Sequence, residues 1–172
     1  MEAETNGTVA GGTSVTIANT DFGTLYAGGN SGNVVGATSL NITSCEITNV
    51  YGGSNEGYVG STSVTINSGT FEIVFGGGNL GYVSGDTTVV IGSSSDLGVT
   101  VTGLVYGGGR GYDKDGDGDA SDFTTVYGNS NVTIQGINTN VENYGSTKLR
   151  SRRRKCICIF CKLLDWRFVS EI

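Results

Sequence analysis

Five aspartates fall within ten positions of "DKDGDGDASD", residues 113–122. Asp113, Asp115 and Asp117 alternate, Gly118 follows, and Asp119 and Asp122 complete the set. Clustered carboxylates repel one another unless a cation sits among them. Hard divalent ions take oxygen ligands, and Ca2+ gathers about six to eight. The expectation is a bound Ca2+ that orders the loop and does no chemistry. A solvated acidic loop that aids solubility is the simpler alternative.

The spacing is that of a D-x-D-x-D-G calcium loop, with one departure. Where a helical hand places a bidentate Glu, at the twelfth loop position, this chain has Thr124, and Asp122 is the nearest replacement. No helical pattern flanks the loop, which argues against a sensor-type hand. Catalysis has a narrow base as well. The chain contains no His, so the commonest general base, the usual serine triad and the usual zinc site are missing. Paired carboxylates could serve a lyase or glycosidase, but Arg110 and Lys114 are the only basic residues before position 146. The expectation is a protein that is not an enzyme.

What positions the loop is a repeat. "TSVTI" at Thr13–Ile17 returns as "TSLNI" at Thr38, "TSVTI" at Thr62, "TTVVI" at Thr87 and "SNVTI" at Ser130. The first four are each followed by a second motif: "LYAGGN" at Leu25, "VYGGSN" at Val50, "VFGGGN" at Val74 and "VYGGGR" at Val105. Two motifs recurring in one order rule out composition as the cause. In a strand, alternate side chains share a face. Val15/Ile17, Leu40/Ile42, Val64/Ile66, Val89/Ile91 and Val132/Ile134 therefore form an aliphatic side, with Thr16, Asn41, Thr65, Val90 and Thr133 on the other. Gly28, Gly53, Gly77 and Gly108 mark places where the backbone takes positive φ or passes close to a neighbour. Asn30, Asn55 and Asn79 follow, able to bond between layers.

A single copy buries too little to offset its ordering entropy, so copies must stack. Stacking places Tyr26, Tyr51, Phe75 and Tyr106 in one aromatic column, and Tyr58, Tyr82 and Tyr112 in a second. The expected fold is all-β: a right-handed parallel β-helix, or solenoid, of about five coils with a C-terminal tail outside the repeat. The coils lie near 8–31, 33–56, 57–80, 81–110 and 126–141, with the acidic insert at 113–125. A second, shorter insertion around Ser93–Leu104 adds about six residues. A sandwich of antiparallel hairpins is the competing arrangement.

"VYGGSNEGYVGSTSVTINSGTFEIVFGGGNLGYVSGDTTVVI", from Val50 to Ile91, resembles the repeats of large bacterial cell-surface proteins of the adhesin-like, β-strand-repeat kind. The likeness covers about residues 8–141. It implies an extracellular or cell-surface location, an unidentified glycan or protein ligand, a structural or adhesive role, and further repeats in a longer parent chain. It brings no catalytic residues. The runner-up is a carbohydrate-active β-helix, and a third class is an ice-surface binder built on outward Thr and Asn. Its rows are mixed, however, and β-propensity on a solvent face accounts for them.

Charge separates two segments. Residues 1–145 carry two basic and fourteen acidic side chains, and residues 146–172 carry eight basic and two acidic. Nucleic acid is not expected on the acidic body, since phosphate binding needs a cationic face. No apolar run is long enough to span a bilayer, and the first residues lack the pattern of a signal peptide. The tail holds three of the four Cys and the single Trp. It reads as a helical cap, a basic amphipathic contact or a frameshifted end. "CICIFC" lacks a fourth ligand for zinc, and Cys45 reads as a small buried side chain. Asn6, Asn41 and Asn131 fit the N-x-S/T pattern, as chance allows in such a composition.

Overall fold

The computed structural model describes residues 7–92, 98–111, 125–135 and 139–143. Its strands follow the first motif. Thr, Val and Ile favour a pleated, half-buried backbone, and they form β2 (Thr13–Ala18), β4 (Asn33–Thr43), β6 (Val59–Ile66), β8 (Thr87–Ile91) and β10 (Ser130–Ile134). All pair in parallel and in register: Val15, Leu40, Val64, Val89 and Val132 make one row, and Ile17, Ile42, Ile66, Ile91 and Ile134 the next. A two-residue strand, β1 (Thr8–Val9), runs beside the start of β4.

After each motif the chain bends onto a second sheet. In the first two levels the bend uses one left-handed residue, Asn19 or Ser44, each with φ 55°. The second sheet stacks β3 (Asp21–Tyr26), β5 (Cys45–Tyr51), β7 (Gly69–Phe75), β9 (Val99–Tyr106) and β11 (Thr139–Asn143), again all parallel. A third row joins Val9, Val34, Val59, Val83 and Val126 by strand pairing and isolated bridges. Among the described residues every paired strand is parallel and no helix occurs. Parallel strands need crossover connections rather than hairpins, so the sandwich is excluded and the fold is a parallel β-solenoid. The turns β4–β5, β6–β7 and β8–β9 are covered on both sides, with one outer level beyond each end. The count of about five coils thus becomes three complete turns between two outer levels.

The interior is aliphatic. Leu40, Ile42, Ile47, Val50, Val64, Ile66, Phe71, Val74, Val89 and Ile91 are all buried in one cluster. Val34, Val59 and Val83, of the third row, form a smaller one with Val126 packed against it. Close packing of successive levels explains the glycines of the second motif. None of Gly28, Gly53 and Gly77 has positive φ. A Cβ on Gly53 would instead lie 2.8 Å from the Gly78 nitrogen, and one on Gly77 2.7 Å from the Gly109 nitrogen. Of the two reasons for glycine offered by sequence, close approach is the operative one.

Candidate functional surface

Stacking turns each repeated residue into a ladder, and the ladders are the surface. Thr13, Thr38, Thr62 and Thr87, which open the first motif, turn inward. Their hydroxyls donate to the carbonyls of Ala27, Gly52, Gly76 and Gly107 in the second motif of the same coil, at 2.9, 2.5, 2.5 and 2.5 Å. Thr38, Thr62 and Thr87 are buried. These bonds fasten one sheet to the corner opposite it in each turn. Sequence reasoning placed no role on them, although the identity of the four Thr was the available signal.

The corner carries two further ladders. Asn55 Nδ2 donates to Asn30 Oδ1 at 2.8 Å, Asn79 Nδ2 to Asn55 Oδ1 at 2.7 Å, and the Arg110 guanidinium ends the series on Asn79 Oδ1 at 3.2 Å. Beside them Tyr26, Tyr51, Phe75 and Tyr106 stack with centroids 4.9, 4.9 and 5.0 Å apart and planes within 17° of parallel. Burial pushes the Tyr51 phenol above its ordinary 10.0, and the Arg110 guanidinium beside it pulls the other way. Arg110, one of two basic residues weighed for catalysis, is thus engaged with Asn79 and Tyr51. Cys45 is buried, its thiol turned to the Thr43 carbonyl at 3.3 Å.

The second aromatic column contains the expected Tyr58 and Tyr82 pair. Tyr58 and Tyr82 stack at 5.2 Å, and Tyr127 meets Tyr82 edge-on at 5.8 Å with an interplanar angle of 87°. Tyr112, the third member read from sequence, lies outside the described residues. Tyr127 follows Val126, whereas Tyr58 and Tyr82 precede Val59 and Val83, so its ring approaches from the other side of the row.

Both insertions can be placed by counting along the rows. Val34, Val59 and Val83 each lie six residues after Gly28, Gly53 and Gly77, but Val126 lies eighteen after Gly108. The added residues of the acidic insert therefore fall between Gly108 and Val126 in sequence, and the described chain resumes at Thr125, whose carbonyl accepts from Val83 N at 3.0 Å. Asp113, Asp115, Asp117, Asp119 and Asp122, with Lys114 and Thr124, lie outside the described residues. Among the described residues no group of three or more acidic or Cys side chains is arranged to hold a metal ion. The shorter insertion has two parts. Gly69 lies three positions after Ile66, whereas its partner Val99 lies eight after Ile91; a bulge between Val101 and Val105 adds one more.

The outward rows are Ser14/Ser39/Ser63/Thr88/Asn131 and Thr16/Asn41/Thr65/Val90/Thr133, in register throughout. Asn67 Nδ2 bridges to Asn41 Oδ1 at 2.6 Å. Among the described residues no helix is long and apolar enough to cross a membrane. Residues 146–172 lie outside the described residues. Compared with protein-family models, curated proteins and solved structures, the chain matches none.

Proposed function

We propose that the chain is a non-catalytic structural or adhesive module of an extracellular bacterial surface protein. The observation that carries this reading is the in-register stacking of like residues over successive levels, which converts short polar motifs into long, rigid ladders of Ser, Thr and Asn. A surface of that kind offers many equivalent weak contacts to a repetitive ligand, a glycan or a protein, and multiplies them. Catalysis calls instead for unlike groups converging on one point. The acidic insert follows one corner in sequence, and solenoids commonly carry binding loops at such places. In this reading Asp113, Asp115, Asp117, Asp119 and Asp122 hold a Ca2+ that fixes the insert's shape.

The test uses the full chain on polygalacturonate, alginate and mucin, with calcium and with chelator. Saturable retention on one of them, without release of unsaturated or reducing ends, is the expected result. Time-dependent release of such ends would identify a carbohydrate-active β-helix and defeat the proposal.

A further inference from the structure

The two aromatic columns differ in what can reach them. In the first, Tyr51 is 4% exposed, and Phe75, at 6%, carries no hydroxyl. The Arg110 guanidinium also stands at the Tyr51 phenol. In the second, Tyr58 is half-buried and Tyr82 is 40% exposed. Their rings stack with centroids 5.2 Å apart and planes 12° from parallel. Backbone pairing holds them in that relation: Val59 and Val83, the residues that follow, are bridged in parallel, and Val59 N donates to the Tyr82 carbonyl at 3.1 Å. Like side chains on neighbouring strands in register keep like edges side by side, so the ring carbons ortho to each hydroxyl stay close to their counterparts. Tyr127 is more exposed, at 65%, but its ring crosses that of Tyr82 at 87°. Stacking alone does not distinguish the pair, since Tyr26 and Tyr51 stack at 4.9 Å; stacking together with access to solvent does.

We infer that Tyr58 and Tyr82 form an oxidative cross-linking site, joined as a dityrosine by a peroxide-driven one-electron oxidant of the haem peroxidase kind. Each phenol gives up one electron and one proton and becomes a phenoxyl radical. The two radicals form one C–C bond between ortho carbons, and each coupled carbon passes its hydrogen to a phenol oxygen as the ring regains aromaticity. The peroxide accepts the two electrons and two protons, its O–O bond breaks, and it leaves as two waters. The chain loses two hydrogen atoms. Tyr58 and Tyr82 lie 24 positions apart on successive levels, so the new bond ties those levels together covalently. A link of this kind restricts the unfolded chain, as a disulfide does.

The test treats the full chain, its reactive thiols alkylated first, with hydrogen peroxide and a haem peroxidase at a dilution that suppresses coupling between molecules. The expected product shows dityrosine fluorescence at single-chain mass. Cleavage after Glu should then leave fragment 57–72, which holds Tyr58, bonded to the fragment that begins at residue 73 and holds Tyr82. Tyr58→Phe and Tyr82→Phe, which keep the ring, are each expected to abolish that bond, and Tyr127→Phe to retain it. The linked chain should unfold at a higher urea concentration than the unlinked one. Oxidation that leaves Tyr58 and Tyr82 unlinked, or a link between the two fragments that survives Tyr58→Phe at the parent's yield, overturns the inference.

Discussion

The hydroxyl of Thr62 is the fastening of its turn. It reaches the Gly76 carbonyl from a buried position, and an isosteric methyl in its place leaves that carbonyl without its donor. Thr62→Val is therefore expected to lower stability by about 1–3 kcal/mol, measured by urea denaturation at unchanged m-value. Tyr51 gives a second residue-level expectation. Its phenol is raised above the unfolded value by burial, so the folded state holds the proton more tightly. The associated stability is fully present below about pH 10 and is lost as pH rises through the folded-state value. Tyr51→Phe should flatten the alkaline fall in melting temperature, and a curve identical to the parent's would assign the fall to other groups. Removal of the guanidinium in Arg110→Ala should move the phenol further up, read by absorbance titration. Little of this was legible in sequence. The glycines and the aromatic column were visible as repeated letters, but the Thr13, Thr38, Thr62 and Thr87 bonds depend on two sheets facing each other, which local periodicity does not encode.

At the scale of elements, legibility follows burial pattern. The first sheet alternates over its Thr-to-Ile motif, as in β6, where Thr62, Val64 and Ile66 are buried and Ser63 and Thr65 are less so, and its strands could be read directly. The second sheet breaks the alternation: in β5 Cys45, Ile47, Val50 and Tyr51 are buried, with Val50 in the core and Tyr51 under its stacked neighbours. Two adjacent buried residues hide a period of two. The third row offers one Val per level, too short a signal for any window. Insertions, by contrast, were visible because they interrupt the repeat, and the shorter one reaches into β9, where it shifts the register by one residue. Replacing residues 109–125 by the five residues 78–82 is expected to preserve the solenoid spectrum. Shortening a loop changes closure entropy by only about 0.6 kcal/mol per halving. The same replacement, like Asp115→Ala with Asp117→Ala, should abolish the heat of calcium binding in titration calorimetry; an unaltered heat trace would remove the insert as the calcium site.

For the whole molecule, strand pairing among the described residues joins each level only to its immediate neighbours, so stability is approximately a sum of level and interface terms. Phe71 lies between Ile47 and Val101 in a turn covered on both sides. Phe71→Ala is expected to cost about 3–5 kcal/mol, the range for a buried aromatic. Phe22→Ala, the same change in the outer level, should cost clearly less because the ring is already 41% exposed. Equal losses in urea denaturation would contradict nearest-neighbour behaviour. Amide exchange should follow the same gradient, slowest in β6 and β7 and faster toward β2 and β10.

The threonine fastenings close each turn upon itself, whereas adjoining turns are held by strand pairing and by contacts between their side chains. A pull applied along the axis would therefore strip turns from an end one after another. Each would release a tether of about 80 Å, taking roughly 24 residues at full extension, and the turns not yet reached would stay folded and bear load.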